Sequence, residues 1–129
     1  MIQIVVVDPF EHMRRMIRAL LEAEQGWRVC GEAADGQRAI DQCDLLHPDL
    51  VILDIQMPIL NGLEAARQIL LRIPRMLVLL LTLDESSHFA VAAASCGAQG
   101  LLIKGRASED LVDAVSALLR GERYFAEVA

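Results

Sequence analysis

Short, continuous apolar runs alternate along this chain with longer segments in which apolar residues recur at helical spacing. Such alternation is typical of βαβ units, in which parallel strands are covered by helices on both faces. The predicted strands cover residues 2–7, 27–32, 50–53, 76–81 and 100–103. Three of them, the first, third and fourth, are almost wholly aliphatic, which indicates burial on both faces. The sequence therefore predicts an α/β fold built on a five-stranded parallel sheet.

The segments between these strands have plausible helix boundaries. The first helix is predicted from an apolar stripe over residues 13–21, and the others begin near Asp35, Asn61, Ser86 and Ser108. Asp35 and Asn61 are predicted N-caps, and Gly97 is predicted to follow the end of the fourth helix. The alanine-rich stretch 90–94 offers little side-chain area to anchor that helix, so it is predicted to be the element that moves most readily.

Composition narrows the class of protein. A length of 129 residues suits one compact domain, predicted to span residues 1–129. A net charge of −6 does not provide the basic field that phosphate-backbone binding requires, so direct nucleic-acid binding is not expected. The longest apolar run, residues 76–83, is far short of a bilayer span, and the chain does not open on a signal peptide. A soluble, cytoplasmic protein with reduced cysteines at Cys30, Cys43 and Cys96 is expected.

Polar residues follow four of the predicted strands at the carboxyl end: Asp8, Asp54, Thr82 and Lys104. In an open parallel sheet, ligands bind outside the carboxyl ends of the strands. Taken singly, an aspartate here is more often a turn former, a threonine is at home in a strand, and a lysine is usually solvated. Their coincidence instead indicates a site for a divalent cation and a phosphoryl group.

Three motifs make this indication specific: D-x-x-M-P-x-x-x-G at 54–62, L-T at 81–82, and G-x-x-x-K at 100–104. With them, the chain resembles the receiver domain of bacterial two-component response regulators over essentially its full length. Segments 97–104 and 121–125 are similar to the branch that carries a C-terminal LuxR-type helix-turn-helix. The resemblance implies a flavodoxin-like, doubly wound sheet of order 2-1-3-4-5 with five helices.

The resemblance also implies a chemistry. Asp54 would accept a phosphoryl group from a sensor histidine kinase or a small phosphodonor, with Mg²⁺ held by Asp8 and Asp54. Lys104 would pair with a phosphoryl oxygen, and Thr82 would hydrogen-bond the bound group and change the surface around the fourth helix and fifth strand. Such a domain is a switch rather than an enzyme, and catalyses only its own phosphorylation and dephosphorylation.

Other positions matter through the same resemblance. Where the family has a second acidic residue after the first strand, this chain has Pro9, so weak Mg²⁺ binding is expected. Glu11 is a candidate replacement, and equally a first-turn acid favoured by the helix dipole. The backbone of Gln56 is a further candidate ligand, and the side chains of Gln56 and Asp84 are placed to tune hydrolysis.

Two more departures concern the switch. Leu101 stands where the family commonly has an aromatic residue that rotates with Thr82, so the usual aromatic switch is not expected. Leu83 follows Thr82 where a small residue is usual, and it is expected to crowd access to Asp54. Phosphorylation and hydrolysis would both be slowed.

Two alternatives remain open at this stage. Pro9 raises the possibility of a pseudo-receiver that signals through protein contacts without phosphorylation. A flavodoxin-like enzyme is a more distant alternative, because no G-x-G-x-x-G or P-loop motif follows any strand. The resemblance further implies a possible homodimer, no membrane contact, and DNA binding through a separate output domain that this chain does not include.

Overall fold

The computed structural model describes residues 1–84 and 88–126. The strands are β1 Ile2–Val7, β2 Trp27–Ala33, β3 Leu50–Asp54, β4 Leu77–Thr82, β5 Gly100–Ile103 and β6 Tyr124–Phe125. The helices are α1 Glu11–Glu22, α2 Gly36–Leu46, α3 Gly62–Arg72, α4 His88–Ser95 and α5 Ala107–Leu119, with a 3₁₀ turn at Lys104–Arg106. None of the described helices is long and apolar enough to cross a membrane.

The strands form one sheet in the order β2-β1-β3-β4-β5-β6, and every neighbouring pair is parallel. This confirms the predicted doubly wound fold and its 2-1-3-4-5 order. The chain reverses its direction of travel across the sheet between β1 and β3, which lie side by side. The carboxyl ends of β1, β3, β4 and β5 therefore share one edge, where such folds place their ligands.

The short strand β6 is an addition that the sequence did not predict. It runs parallel to β5, with Gly100 opposite Tyr124 and Leu101 opposite Phe125. Two residues are too few to give a periodic signal, so β6 could be found only from its pairing with β5.

Helices cover both faces of the sheet. Val51 and Leu53 of β3 belong to an apolar cluster with α2 and α3, whereas Leu50 and Ile52 belong to a second cluster with α1 and α5. All five residues of β3 are buried. Because both faces of such a strand are covered by helices, its residues need not alternate between polar and apolar. This explains the continuous aliphatic runs.

The structure confirms both predicted N-caps. Asp35 Oδ1 accepts a hydrogen bond from the Arg38 amide at 2.9 Å, and Asn61 Oδ1 accepts one from the Glu64 amide at 3.0 Å. Gly97 follows α4 with a positive φ of 95°. Helix α5 begins at Ala107, one residue before the predicted Ser108, while Ser86 lies outside the described residues.

One loop residue has an unfavourable backbone conformation. Ile59, between β3 and α3, has a φ of +69°, and its side chain is 82% exposed. In this left-handed region the Cβ of an L-residue crowds its own backbone, and β-branching makes the crowding worse. No burial of the Ile59 side chain offsets this cost.

We expect Ile59→Gly to raise the free energy of unfolding by about 1 kcal/mol, since glycine adopts a positive φ without steric cost. Urea denaturation measures the change, and Ile59→Val, which keeps the β-branch, is expected to match the wild type. A glycine variant no more stable than the valine variant would contradict strain at this position.

Candidate functional site

The four polar residues predicted at the strand ends meet in the structure. Asp8 follows β1, Asp54 ends β3, Thr82 ends β4, and Lys104 follows β5. Five polar or charged side chains are buried within the described ranges, and four of the five are these residues. The fifth, Asp35, is explained by its capping of α2. Burying charge is costly without compensation, so this concentration makes the edge the candidate functional site.

Lys104 lies between the two aspartates. Its Nζ is 2.7 Å from Asp8 Oδ2 and donates a hydrogen bond to Asp54 Oδ2 at 2.9 Å. The contact with Asp8 is an ion pair without hydrogen-bond alignment, because Asp8 Oδ2 accepts no hydrogen bond from the described residues. Two carboxylates and one ammonium leave this buried group one negative charge in excess when all three are ionised.

The surroundings shift the pKa values of both Asp54 and Lys104. Burial raises the pKa of Asp54, the contact with Lys104 offsets the increase in part, and the charge of Asp8 adds to it. Burial alone would lower the pKa of Lys104, but its contacts with Asp8 and Asp54 outweigh burial and raise the pKa. Lys104 therefore stays protonated at neutral pH, and ionised Asp54 is more basic than an ordinary carboxylate.

Two aspartate oxygens and one excess negative charge fit a weakly held magnesium ion. Mg²⁺ is commonly held in proteins by one or two carboxylates and completes its coordination with water. Asp8 Oδ2, which is buried, lies 2.7 Å from Lys104 Nζ and accepts no hydrogen bond from the described residues, and the carboxylate of Asp54 are the groups available here. In the part of the chain that the structure describes, no group of three or more acidic, histidine or cysteine residues could hold a metal.

Glu11 is not brought to the aspartates. It begins α1 with an exposed side chain, and its Oε1 forms an ion pair with Arg15 Nη2 at 2.8 Å, one helical turn further on. This geometry matches the first-turn alternative weighed for Glu11. The Gln56 carbonyl remains a predicted ligand.

Gln56 connects Asp54 with Thr82. Its amide N–H donates to Asp54 Oδ1 at 3.4 Å, and its side-chain Nε2 donates to Thr82 Oγ1 at the same distance. Thr82 Oγ1 also accepts a hydrogen bond from the Asp84 amide at 3.0 Å. The Thr82 hydroxyl is thereby tied to the loop that leads from β4 towards α4.

Phe10 is a site residue that sequence reasoning missed. Its amide donates to Asp8 Oδ1 at 2.8 Å, and its ring centroid lies 5.3 Å from Lys104 Nζ, within cation–π range. Phe10 and Leu83 are 52% and 63% exposed, and with Lys104 they line a cavity of about 380 Å³. Two exposed apolar side chains thus flank the approach to a buried charged group. The available signal was an aromatic residue directly after Asp8 and Pro9.

Leu101 is part of the core beneath the site. It is buried in the cluster that packs on α2 and α3, and Phe125 of β6 packs against the same cluster. An aromatic side chain is therefore present beside Leu101, but on the neighbouring strand.

Gly62 sets how closely α3 approaches Asp54. A Cβ added at Gly62 would lie 2.2 Å from the backbone oxygen of Asp54 and 2.9 Å from Cα of Ile55. The Gly62 amide donates to the Ile55 carbonyl at 2.9 Å, so the close approach is fixed by a hydrogen bond. The glycine of the 54–62 motif is thus required by the backbone contact.

The chain was compared with known families and proteins. Residues 4–116 match the family model of the response regulator receiver domain. The response regulator UvrY of Escherichia coli K12 is 35% identical over 126 residues, which cover 98% of this chain and 58% of UvrY. The transcriptional regulatory protein DegU of Brevibacillus brevis is 31% identical over 95% of this chain and 52% of its own length. The chain thus spans little more than half the length of these relatives.

A solved structure gives the same result. The two-component response regulator of the LuxR family from Aurantimonas sp. SI85-9A1 superposes with a TM-score of 0.90. It is 34% identical, and the match covers 95% of this chain and 87% of that one. This similarity extends over almost all of both chains.

We expect Gly62→Ala to lower the free energy of unfolding by about 2–4 kcal/mol, because the new methyl group would overlap the Asp54 backbone. Gly105→Ala is the control, since a Cβ at Gly105 meets nothing within 4 Å. Urea denaturation of both variants measures the difference, and equal stability would contradict the close approach of α3.

Proposed function

This chain belongs to the response regulator receiver family, and on that premise we propose that its Asp54 accepts a phosphoryl group in a two-component phosphorelay. The observation that carries the proposal is the buried cluster in which Lys104 contacts both Asp8 and Asp54 at the carboxyl edge of the sheet. The family consists of signalling domains rather than metabolic enzymes. The donor is a phosphohistidine on a partner sensor kinase, or a small phosphodonor.

The transfer replaces one phosphorus bond by another. A carboxylate oxygen of Asp54 attacks the phosphorus atom, the phosphorus–nitrogen bond of phosphohistidine breaks, and the imidazole keeps the electron pair of that bond. Lys104 pairs with a phosphoryl oxygen once Asp54 carries the group. Asp8 and Asp54 would hold Mg²⁺, which would supply further positive charge against the phosphoryl oxygens.

Thr82 converts the added group into a change of surface. A phosphoryl group on Asp54 brings acceptor oxygens, to which the Thr82 hydroxyl can donate while its Oγ1 still accepts from the Asp84 amide. A shift of Thr82 pulls on the loop towards α4, where Ala93 is buried and Phe89 and Ala90 pack partly buried against the core. Because Leu101 stands where the family commonly has an aromatic residue, the usual rotation of an aromatic side chain is not part of this switch. The switch therefore depends on the Thr82 hydroxyl.

The output is control of transcription, through a DNA-binding domain elsewhere in the parent protein. The names of DegU and UvrY describe a transcriptional regulatory protein and a response regulator, and this chain matches little more than half of each. Residues 1–129 then form the receiver domain of a cytoplasmic regulator. The net charge of −6 leaves DNA contact to the output domain.

One observation favours a second candidate function. Pro9 supplies no carboxylate, and among the described residues no third acidic, histidine or cysteine residue joins Asp8 and Asp54 in a group that could hold a metal. A pseudo-receiver that signals through protein contacts alone would tolerate this loss. Phosphorylation of the chain decides between the two candidates.

Incubation with acetyl phosphate and Mg²⁺ is expected to add the mass of one phosphoryl group, as a base-labile, acid-stable adduct. Asp54→Asn is expected to abolish it, because an amide cannot form the acyl phosphate. Asp41→Asn, at an exposed position of α2, is the control and is expected to react like the wild type. An adduct that persists in Asp54→Asn would refute the assignment, and no adduct with acetyl phosphate or a phosphorylated kinase would favour the pseudo-receiver.

Pro9→Asp is expected to tighten Mg²⁺ binding about tenfold, since it adds a carboxylate beside Asp8 and Asp54. Pro9→Asn removes the ring and adds an N–H without charge, so it separates the carboxylate from the backbone change. Titration with Mg²⁺, followed by NMR amide shifts, gives the dissociation constants. Equal constants for the aspartate and asparagine variants would contradict a shortage of carboxylates at this site.

A further inference from the structure

We propose that Arg14 is a positioning residue for the phosphorylation site, holding the main chain of Asp8 so that its carboxylate faces Lys104 and the metal position. This inference rests on the proposed function of the site and adds a residue to it. Arg14 Nη1 donates a hydrogen bond to the Asp8 carbonyl oxygen at 2.7 Å. The Arg14 side chain is only 17% exposed, so solvent competes little for this contact.

The Asp8 carbonyl is the third point at which this residue is held. The Asp8 amide donates to the Ala33 carbonyl at 3.1 Å, and Oδ1 accepts from the Phe10 amide at 2.8 Å. Pro9 has no N–H, so it donates no backbone hydrogen bond that could hold the loop. The guanidinium of Arg14 therefore completes the anchoring of the loop between β1 and α1.

Glu32 holds Arg14 in place. It lies near the carboxyl end of β2, opposite Val6, and its Oε1 accepts a hydrogen bond from Arg14 Nε at 3.0 Å. The planar guanidinium presents Nε and Nη1 in a fixed geometry, so one side chain serves Glu32 and Asp8 together. A lysine has a single nitrogen and does not reproduce this arrangement.

Arg18 provides a matched control within the same cluster. Its Nη2 donates to Glu32 Oε2 at 2.6 Å, and its other contacts do not include the Asp8 carbonyl. Arg14 and Arg18 thus share one acidic partner and one helix. They differ in the contact on which the inference depends.

The position of Asp8 is important because this site has few acidic groups. With Pro9 in the second acidic position, Asp8 and Asp54 are the carboxylates available to a cation. Residues that orient a metal ligand without touching the metal typically affect metal affinity 10–100-fold when they are removed. A displacement of Asp8 would therefore be felt directly in Mg²⁺ binding.

The test compares Arg14→Met, Arg14→Lys and Arg18→Met in the whole chain. The free energy of unfolding in urea and the Mg²⁺ dissociation constant, from NMR amide shifts, are measured for each. Arg18→Met measures the stability lost with one Glu32 contact, and Arg14→Met is expected to lose more, since it loses the contact with the Asp8 carbonyl as well. The dissociation constant is expected to rise about tenfold in Arg14→Met and Arg14→Lys and to stay at the wild-type value in Arg18→Met.

Equal Mg²⁺ affinity in the two methionine variants would overturn the inference, as would a wild-type chain that shows no response to Mg²⁺. If Arg14→Lys binds Mg²⁺ with wild-type affinity, a positive charge alone is sufficient and the two contacts of the guanidinium are not needed. That result would also overturn the inference. Phosphoryl uptake from acetyl phosphate is measured on the same samples. A wild type that takes up no phosphoryl group from acetyl phosphate or from a phosphorylated kinase, but whose Mg²⁺ affinity depends on Arg14, would refute the proposed function and support the positioning role.

Discussion

The contact of one buried ammonium with two buried carboxylates is the interaction around which this edge of the sheet is built. Lys104 Nζ reaches Asp8 and Asp54 only because β1, β3 and β5 end at the same level, and β1 is the immediate neighbour of β3. A buried ion pair contributes little net stability, since desolvation costs about as much as the attraction returns. The apolar clusters on both faces of the sheet supply the stability that allows the charges to stay buried.

The same arrangement makes the site receptive to positive charge. Burial and the charge of Asp8 destabilise ionised Asp54, and Lys104 offsets this only in part. A carboxylate held in this condition is stabilised by any positive charge that enters the site. A phosphoryl group on Asp54 would add negative charge to the same cluster, so the proposed modification depends on Lys104 and on a bound cation to compensate that charge.

Much of this could be predicted from the sequence, because it depends on periodicity and on chain order. The aliphatic runs predicted where the strands lie. Parallel strands then bring their carboxyl ends to one edge whatever the details of packing, and with them Asp8, Asp54, Thr82 and Lys104. The direction of a side chain does not follow from such patterns. Glu11 extends along α1 to Arg15 instead of towards Asp8, while Phe10 lies over Lys104. Strand β6 escaped detection because two residues carry no periodicity, and its pairing with β5 is a long-range event.

Strand β6 also changes how far the site is from the end of the domain. The amide of Ala126 donates to the carbonyl of Leu101 at 2.8 Å, and Leu101 is three residues from Lys104. Measured along the polypeptide, Lys104 and Ala126 are separated by the whole of α5, yet through this hydrogen bond only residues 101–103 lie between them. The backbone thus connects the buried ammonium with the segment that follows α5 through β5 and one hydrogen bond, and this connection bypasses the helix.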